Sequence, residues 1–356
     1  MGNDEFRIDS HKLIYHVARV NQWLNGVDIY PIYIELSLFG GCNHRCIFCA
    51  FDFLKYKSEM LEIGCLKKFI ISSSMSGVKA ILFSGEGEPL LHKDYADIIA
   101  FASKNCIDAA VVTNGVKLRG LNRRASLEYL TWMKVSLDAG KKDTHSFIHR
   151  TNSNDFGIII KNIEDTVKDR NKYGYKCVIG VQSLLLPQNY NEIVKIVLIV
   201  KNIGVDYLVV KPYSYHPLSI NRLDVRYKYA NLGHLEKKLL SLSTKDFKII
   251  FRRNAISGIN NDRSYSHCLG LPFAAHITAR GDIYPCNFFI GNKKFIYGNI
   301  YKDDFKDIWD GQRRKRLLES ISKEWDVAKC RKSCRLDEIN GYLWKLKNPC
   351  SHVNFI

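Results

Sequence analysis

Three cysteines fall within one eight-residue stretch, Cys42-Asn43-His44-Arg45-Cys46-Ile47-Phe48-Cys49. The stretch follows the apolar run from Ile32 to Phe39 and the pair Gly40-Gly41. Glycine lets a backbone curl tightly, so one loop can bring all three thiols onto one metal centre. A cubane [4Fe-4S] cluster held by three cysteines keeps one iron open for a small molecule, whereas an electron-transfer cluster is usually closed by a fourth. The alternatives are a zinc site or three unrelated buried thiols, but zinc normally takes four protein ligands or a His/carboxylate set.

The elements that must position this loop are written in an alternating text. Ile32-Leu38, Lys79-Ser84, Asp108-Thr113, Trp132-Asp138, Lys176-Leu184 and Asp206-Lys211 read as six strands. Between them Glu59-Met75, Tyr95-Asn105, Arg123-Leu130, Phe156-Tyr173 and Tyr190-Ile203 carry apolar residues three and four apart and read as helices. Repeated βα units predict an α/β fold: a parallel sheet with helices outside, curled as a partial (β/α)6 TIM-like barrel. Chemistry in such folds sits at the C-terminal strand ends. Here the cysteine loop follows the first strand, Ser84-Gly85-Glu86-Gly87-Glu88-Pro89 the second and Thr113-Asn114-Gly115 the third. Ser136-Leu137-Asp138 ends the fourth, Gln182 lies late on the fifth, and Lys211-Pro212-Tyr213 ends the sixth. A merely structural barrel has no need of polar or glycine-rich text at all six ends.

The spacing C-x3-C-x2-C, with Phe48 just before the third cysteine, resembles the signature of the radical S-adenosylmethionine (SAM) enzymes. The resemblance implies a [4Fe-4S] cluster on Cys42, Cys46 and Cys49 whose open iron chelates the amino and carboxylate groups of SAM. Cleavage of SAM would then give a 5'-deoxyadenosyl radical that takes a hydrogen atom from the substrate. Gly87-Glu88-Pro89 is similar to the second half of the family's GGEP motif, which holds the methionine amine of SAM, and Glu86 stands where the first glycine is usual. With Gly85 these positions make up the expected SAM-facing loop. Asn114 and the pair Ser136/Asp138 occupy strand ends that in relatives face the SAM carboxylate and ribose; Gln182 belongs with them, and Phe48 is placed to pack near adenine. The resemblance covers roughly residues 31–212, preceded by a short helical extension over 1–30 read from the helical spacing of His11 to Val17.

Residues 213–265 read as a linking, substrate-side segment. Tyr213-Ser214-Tyr215-His216-Pro217, then Arg222, Arg226, Tyr227 and Tyr229, interleave aromatic and basic groups beyond a strand end. Such a loop suits stacking on a sugar or base and gripping an anion, the plainer alternative being tyrosines packed on a neighbouring helix. His149-Arg150 is a similar candidate beyond the fourth strand.

A second cysteine system occupies 266–356. Cys268, twelve residues, Gly281, four residues and Cys286 frame two short strands, Ala274-Thr278 and Asp282-Pro285. Tyr297-Gly298-Asn299-Ile300, a helix from Phe305 to Trp325, Cys330-x3-Cys334 and Cys350 follow. This resembles the C-terminal SPASM module of radical SAM enzymes in its shortened "twitch" form. The resemblance implies one auxiliary [4Fe-4S] cluster on Cys268, Cys286, Cys330 and Cys334, a four-thiolate zinc site being the alternative. Cys350 is left as a replacement ligand or a free hydrogen-atom donor. Cys65, Cys106 and Cys177 lie away from the strand ends and read as core thiols.

With 356 residues and 46% hydrophobic composition the chain can bury a large core. No run is long enough to span a bilayer and the first residues lack a signal-peptide plan, so the expectation is a cytoplasmic protein whose cysteines are metal ligands or thiols rather than disulfides. The formal charge of +17 suits an anionic or phosphorylated substrate, or a nucleic acid, or only well-solvated faces, the longest basic run being Arg313-Arg314-Lys315-Arg316.

The expected reaction is hydrogen abstraction from a polar hydroxylated small molecule (a sugar, aminocyclitol or nucleotide-linked compound), ending in oxidation or epimerisation. An external reductant such as flavodoxin or ferredoxin supplies electrons. His216, His149 or a barrel carboxylate serves as base for oxidation, and Cys350 as hydrogen donor for epimerisation. One-cluster modules resemble those of aminocyclitol and sugar-alcohol dehydrogenases and, more distantly, of the molybdenum-cofactor cyclase, whose Gly-Gly tail is replaced here by His352 to Ile356. Peptide modification is the runner-up, for which residues 1–30 are too few to make a peptide-binding domain. An iron-sulfur electron carrier and an RNA-modifying enzyme are further alternatives.

Overall fold

On each early strand one residue set faces the helices and the alternate set faces inward, as a pleated strand requires. In β1 (Tyr33–Leu36) Ile34 and Leu36 are fully buried among helix residues, while Glu35 turns to the other face and meets Arg335. In β4 (Leu130–Ser136) Met133 and Val135 enter the same core, which places Trp132, Lys134 and Ser136 on the inner face. This alternation forms a helix-covered shell whose inner face is polar around Glu35, Lys134 and Ser136 and apolar where Tyr207, Val209 and Ile250 pack with Phe6 and Ile8. The computed structural model describes residues 5–223 and 232–355. Arg226, Tyr227 and Tyr229 fall outside the described residues.

The sheet runs β10-β9-β8-β1-β2-β3-β4-β5-β6-β7. Its remaining strands are β2 (Ala80–Phe83), β3 (Asp108–Thr113), β5 (Val178–Leu185), β6 (Tyr207–Pro212), β7 (Lys248–Phe251), β8 (Ala274–Ile277), β9 (Asp282–Tyr284) and β10 (Gly298–Asn299). All pairings from β8 through β7 are parallel, and β9 and β10 add on antiparallel. The six expected strands are all present, and the sheet is an open, partial barrel. Two parallel neighbours were not expected. Segment 213–265 is more than a linker, since it contributes β7, flanked by α-helices Gly233–Leu240 and Arg253–Asn260. The expected small C-terminal α+β auxiliary domain joins the barrel sheet through its hairpin, because β8 pairs with β1 from Tyr33↔Ala274 to Leu36↔Ile277.

Two helical expectations also change. The single helix from Phe305 to Trp325 is two, Phe305–Asp310 and Gln312–Glu324, parted at Gly311 where the backbone turns extended. The N-terminal helix is Val17–Leu24, preceded by a 3-10 turn at Leu13–Tyr15. Here Leu13, Val20 and Ile29 pack with Phe273 and Leu343, the last on the C-terminal helix Asp337–Lys347. No helix among the described residues is long and apolar enough to cross a membrane.

Candidate active site

The cysteine loop is shaped by a helix that the sequence reading passed over, Lys142–His149. Arg45 N–H donates to the carbonyl of His149 and Ile47 N–H to that of Ile148, both at 2.9 Å, so the loop lies as an extra rung along the helix end. On its other side Gly87 has φ +71°, and a Cβ there would stand 1.9 Å from the Phe39 carbonyl oxygen and 2.6 Å from that of Gly41. Only glycine allows this approach, and it brings Glu88 N–H within 2.9 Å of the Gly41 carbonyl. Burial raises the pKa of all three thiols, that of Cys42 to about 12. Ligation must therefore deprotonate them.

The acidic residues of the expected SAM-facing loop are occupied within the protein. Glu88 is fully buried and its carboxylate accepts from Leu90 N–H, Thr113 Oγ1 and Asn114 N–H at 2.6–3.1 Å. Glu86 accepts from Ala279 N–H at 2.5 Å, and its own N–H donates to Ser37 Oγ at 3.1 Å. It thereby fastens the loop after β2 to the β8–β9 turn. What positions 85–88 offer a ligand is main chain, with Gly85 at φ +115° directly over Ser37 and His276. Asn114 lies beside the cysteine loop, its Nδ2 2.8 Å from Asn43 Oδ1. Ser136 and Gln182 are register partners on the inner face, half-buried and with no side-chain partner among the described residues. Asp138, by contrast, is buried and engaged within the protein: it accepts from Leu184 N–H at 2.6 Å and stands 3.4 Å from His149 Nε2. Burial pushes its pKa up to about 7, against the Leu184 N–H and the charge of Lys211.

Neither expected base is free. His216 is buried and stacked on Phe53, with Nδ1 accepting from Leu218 N–H and Nε2 donating to the Phe288 carbonyl at 2.8 Å. It ties the loop after β6 to the auxiliary module. His149 lies under the cysteine loop with Nδ1 3.1 Å from Cys46 Sγ and its ring edge-on to Phe48. Sequence reasoning missed its neighbours His44, held by Asp155 at 3.2 Å, and His145. The signal was the i, i+4 spacing of His145 and His149 on one helical face. Cys350 is exposed beyond the helix Asp337–Lys347, whose far end lies against the N-terminal helix, with Lys347 Nζ 4.6 Å above the Trp23 ring. That helix carries it away from Cys334, so it is neither a fourth auxiliary ligand nor a donor at the barrel mouth.

The auxiliary thiols converge from three segments, and burial, then the charge of Cys334, raises the pKa of Cys268 and Cys286. Donors are already aimed at the sulfurs: Trp325 Nε1 at Cys330 (3.2 Å), Leu336 N–H at Cys334 (3.4 Å) and Asn340 Nδ2 at Cys268 (3.5 Å). A zinc ion with Zn–S near 2.3 Å would draw its thiols to about 4 Å of one another. Among the described residues no three thiols lie within 4.8 Å; the one group that close is His44, Cys46 and His149. The auxiliary sulfurs thus receive hydrogen bonds of the kind that tune iron-sulfur centres.

A family model described as the radical SAM superfamily matches residues 36–200, and one for the SPASM iron-sulfur cluster-binding domain matches 268–335. The chain is a radical SAM protein with a C-terminal SPASM module. It accordingly holds a SAM-binding [4Fe-4S] cluster, SAM and an auxiliary iron-sulfur cluster. The radical SAM protein is 31% identical over 140 residues to the GTP 3',8-cyclase of Clostridium acetobutylicum, a match covering 38% of this chain and 43% of the cyclase. It is 29% identical over 179 residues to the S-adenosylmethionine-dependent nucleotide dehydratase of Flammeovirga pacifica, covering 49% and 60%. It thus spans less than two thirds of these relatives. Among solved structures, Streptococcus suis SuiB bound to S-adenosylmethionine shares the fold, with a TM-score of 0.66 at 17% identity over 89% of this chain and 75% of that one.

Between the loop after β6 and the SPASM module lies a cavity of about 630 Å³ lined by Tyr213, Ser214, Tyr215, Arg222, Cys330 and Arg331, among others. The aromatic-basic loop picked out from sequence thus forms one wall of a chamber whose other wall includes Cys330, one of the expected auxiliary ligands. Arg222 lies over the Tyr215 ring at 5.4 Å.

Proposed function

We propose that this radical SAM enzyme takes a hydrogen atom from a polar, hydroxylated small molecule, a sugar or nucleotide-linked compound, and leaves it oxidised. When bound, SAM and the two clusters supply the abstracting radical and an acceptor for the remaining electron. Cys42, Cys46 and Cys49 hold the first cluster and Cys268, Cys286, Cys330 and Cys334 the second. Gly85 to Glu88 and Asn114 shape the SAM-facing rim, and Ser136 and Gln182 present free polar groups inside it. The observation that carries the reading is the chamber beside Cys330, within the usual size range of small-ligand sites and lined by tyrosines and arginines. The nucleotide-acting relatives support a compound of that class.

Anaerobically reconstituted protein should contain about eight irons, two cubanes' worth, and release 5'-deoxyadenosine on reduction with SAM. A panel of C–H-deuterated nucleotides and sugar nucleotides should then show deuterium in the 5'-deoxyadenosine for one of them. Transfer only from peptides would replace this reading with peptide modification, and no 5'-deoxyadenosine at all would refute it.

A further inference from the structure

The lumen carries positive charge that its own acids do not answer. Strand alternation turns Lys134 of β4 and Lys211 of β6 inward, because their neighbours Met133, Val135 and Val210 belong to the helix-side core. Arg331, next to the expected auxiliary ligand Cys330, lines the chamber, and its guanidinium donates to the carbonyl and hydroxyl of Ser214. Other inward cations have acidic partners: Arg335 meets Glu35 at 2.9 Å and Arg252 meets Asp9 at 3.4 Å. Among the described residues Lys134 and Lys211 have no carboxylate at ion-pair distance and no hydrogen-bond partner, Lys134 lying 4.9 Å from the Trp132 ring.

Burial and crowding among like charges make these cations costly. Burial lowers Lys134 well below the ordinary lysine range, with Lys211, Arg335 and Arg252 adding to the effect. Burial, then Arg252, Arg335 and Arg331, bring Lys211 down to about 7. Asp138, the acid that favours the Lys211 cation, has a pKa near 7 itself. Yet neither lysine is fully buried, so each side chain keeps some access to solvent. An unpaired buried cation destabilises a fold unless something supplies the missing charge.

We infer that Lys134 and Lys211, with Arg331 at the entrance, form an anion-holding wall, and that the substrate carries a phosphoryl group, which this wall draws into the barrel. The inference rests on the proposed small-molecule reading and narrows its substrate to a phosphorylated one. Sugar or nucleotide hydroxyls are left to Ser136, Gln182 and the tyrosines, while the phosphoryl oxygens accept from the ammonium groups and the guanidinium fork.

The test titrates pyrophosphate and, separately, inorganic phosphate into SAM-loaded, reconstituted holoprotein by calorimetry. Wild type should bind at least one of them saturably. Lys134→Met and Lys211→Met should each weaken that binding about tenfold or more, the size expected for a lost charge-assisted hydrogen bond, and Lys134→Arg and Lys211→Arg should recover most of it. Preference for pyrophosphate assigns a diphosphate-linked substrate, and preference for phosphate a monoester. In the absence of ligand both methionine variants should melt higher than wild type, which also shows that they fold. Failure of wild type to bind either anion would overturn the inference. So would affinities unmoved by the substitutions, or a loss confined to SAM binding, which would make these lysines partners of the SAM carboxylate. Release of 5'-deoxyadenosine by wild type reports separately on the parent reading.

Discussion

Cys42, Cys46 and Cys49 come from one short loop, whereas Cys268, Cys286, Cys330 and Cys334 are gathered from a hairpin, a 3-10 turn and the approach to the last helix. The first site is fixed chiefly by backbone, through main-chain bonds to the end of helix Lys142–His149 and the close pass of Gly87, with His149 and Asn114 adding side-chain contacts. The second is bound by side chains, with Trp325 and Asn340 aimed at the sulfurs and Arg263 tying Asp337 to the carbonyls of Val327 and Arg331. One site offers three sulfurs and a rim open to a ligand; the other offers four and an enclosing aromatic shell of Phe288, Phe289, Phe295 and Trp325. The contrast teaches that a site meant to admit a cofactor is best fixed through its main chain, leaving its open side clear.

The sharpest way to break the comparison is to remove the first site. Cys42, Cys46 and Cys49 replaced together by alanine should lower the iron content from about eight to about four and abolish 5'-deoxyadenosine formation; retained cleavage would show that the open site lies elsewhere. Removing the second with Cys268→Ala and Cys334→Ala should also leave about four irons, with the electron paramagnetic resonance change on adding SAM preserved. Loss of that change would mean that the two sites do not stand apart. Gly87→Ala tests the main-chain fixing. Its Cβ would overlap two carbonyl oxygens at positive φ, so a destabilisation of about 2–3 kcal/mol, read by chemical denaturation, should come with weaker SAM binding.

How much of this contrast the sequence foretold depends on which interactions are local. The three-cysteine loop, the six strands and the hairpin after Cys268 are written in consecutive residues, and each was legible. The parallel pairing of β8 with β1 joins residues 241 apart, Tyr33 and Ala274, and leaves no local periodicity to read. The strand Lys248–Phe251 is a four-residue run with no motif at its end. His216 looked catalytic because it follows a strand end beside tyrosines, yet its role is set by the carbonyl of Phe288, far along the chain. The carboxylates of Glu86, Glu88 and Asp138 likewise proved to be braces, since nothing local tells whether an acid faces a ligand or a backbone amide.

Smaller effects sharpen the comparison further. Asn340 Oδ1 accepts from Gly270 N–H at 2.8 Å while its Nδ2 faces Cys268, so Asn340→Leu should cost about 1–3 kcal/mol by leaving a buried donor unpaired, and should lower the potential of the auxiliary cluster alone. Glu35 links the two halves. Burial would raise its pKa, but Arg335 and His276 outweigh that and hold it at about 2. A carboxylate with a depressed folded pKa contributes stability above its ordinary value of 4.5 that is lost as pH falls toward 2. Arg335 is 48% exposed and therefore partly screened by solvent, which places the contribution at about 1–2 kcal/mol. Acid unfolding followed by circular dichroism should show it, and Glu35→Gln should flatten that part of the curve.

The ladder between β8 and β1 also decides how the module is mounted. A SPASM module hung on a flexible joint would swing aside like a door, but this one shares backbone hydrogen bonds with the strand that leads into the first cysteine loop, and Glu86 fastens its turn a second time. The module is thus held to the barrel sheet both through its first strand and through its turn, and the chamber walled by Tyr215, Arg222 and Arg331 lies beside it.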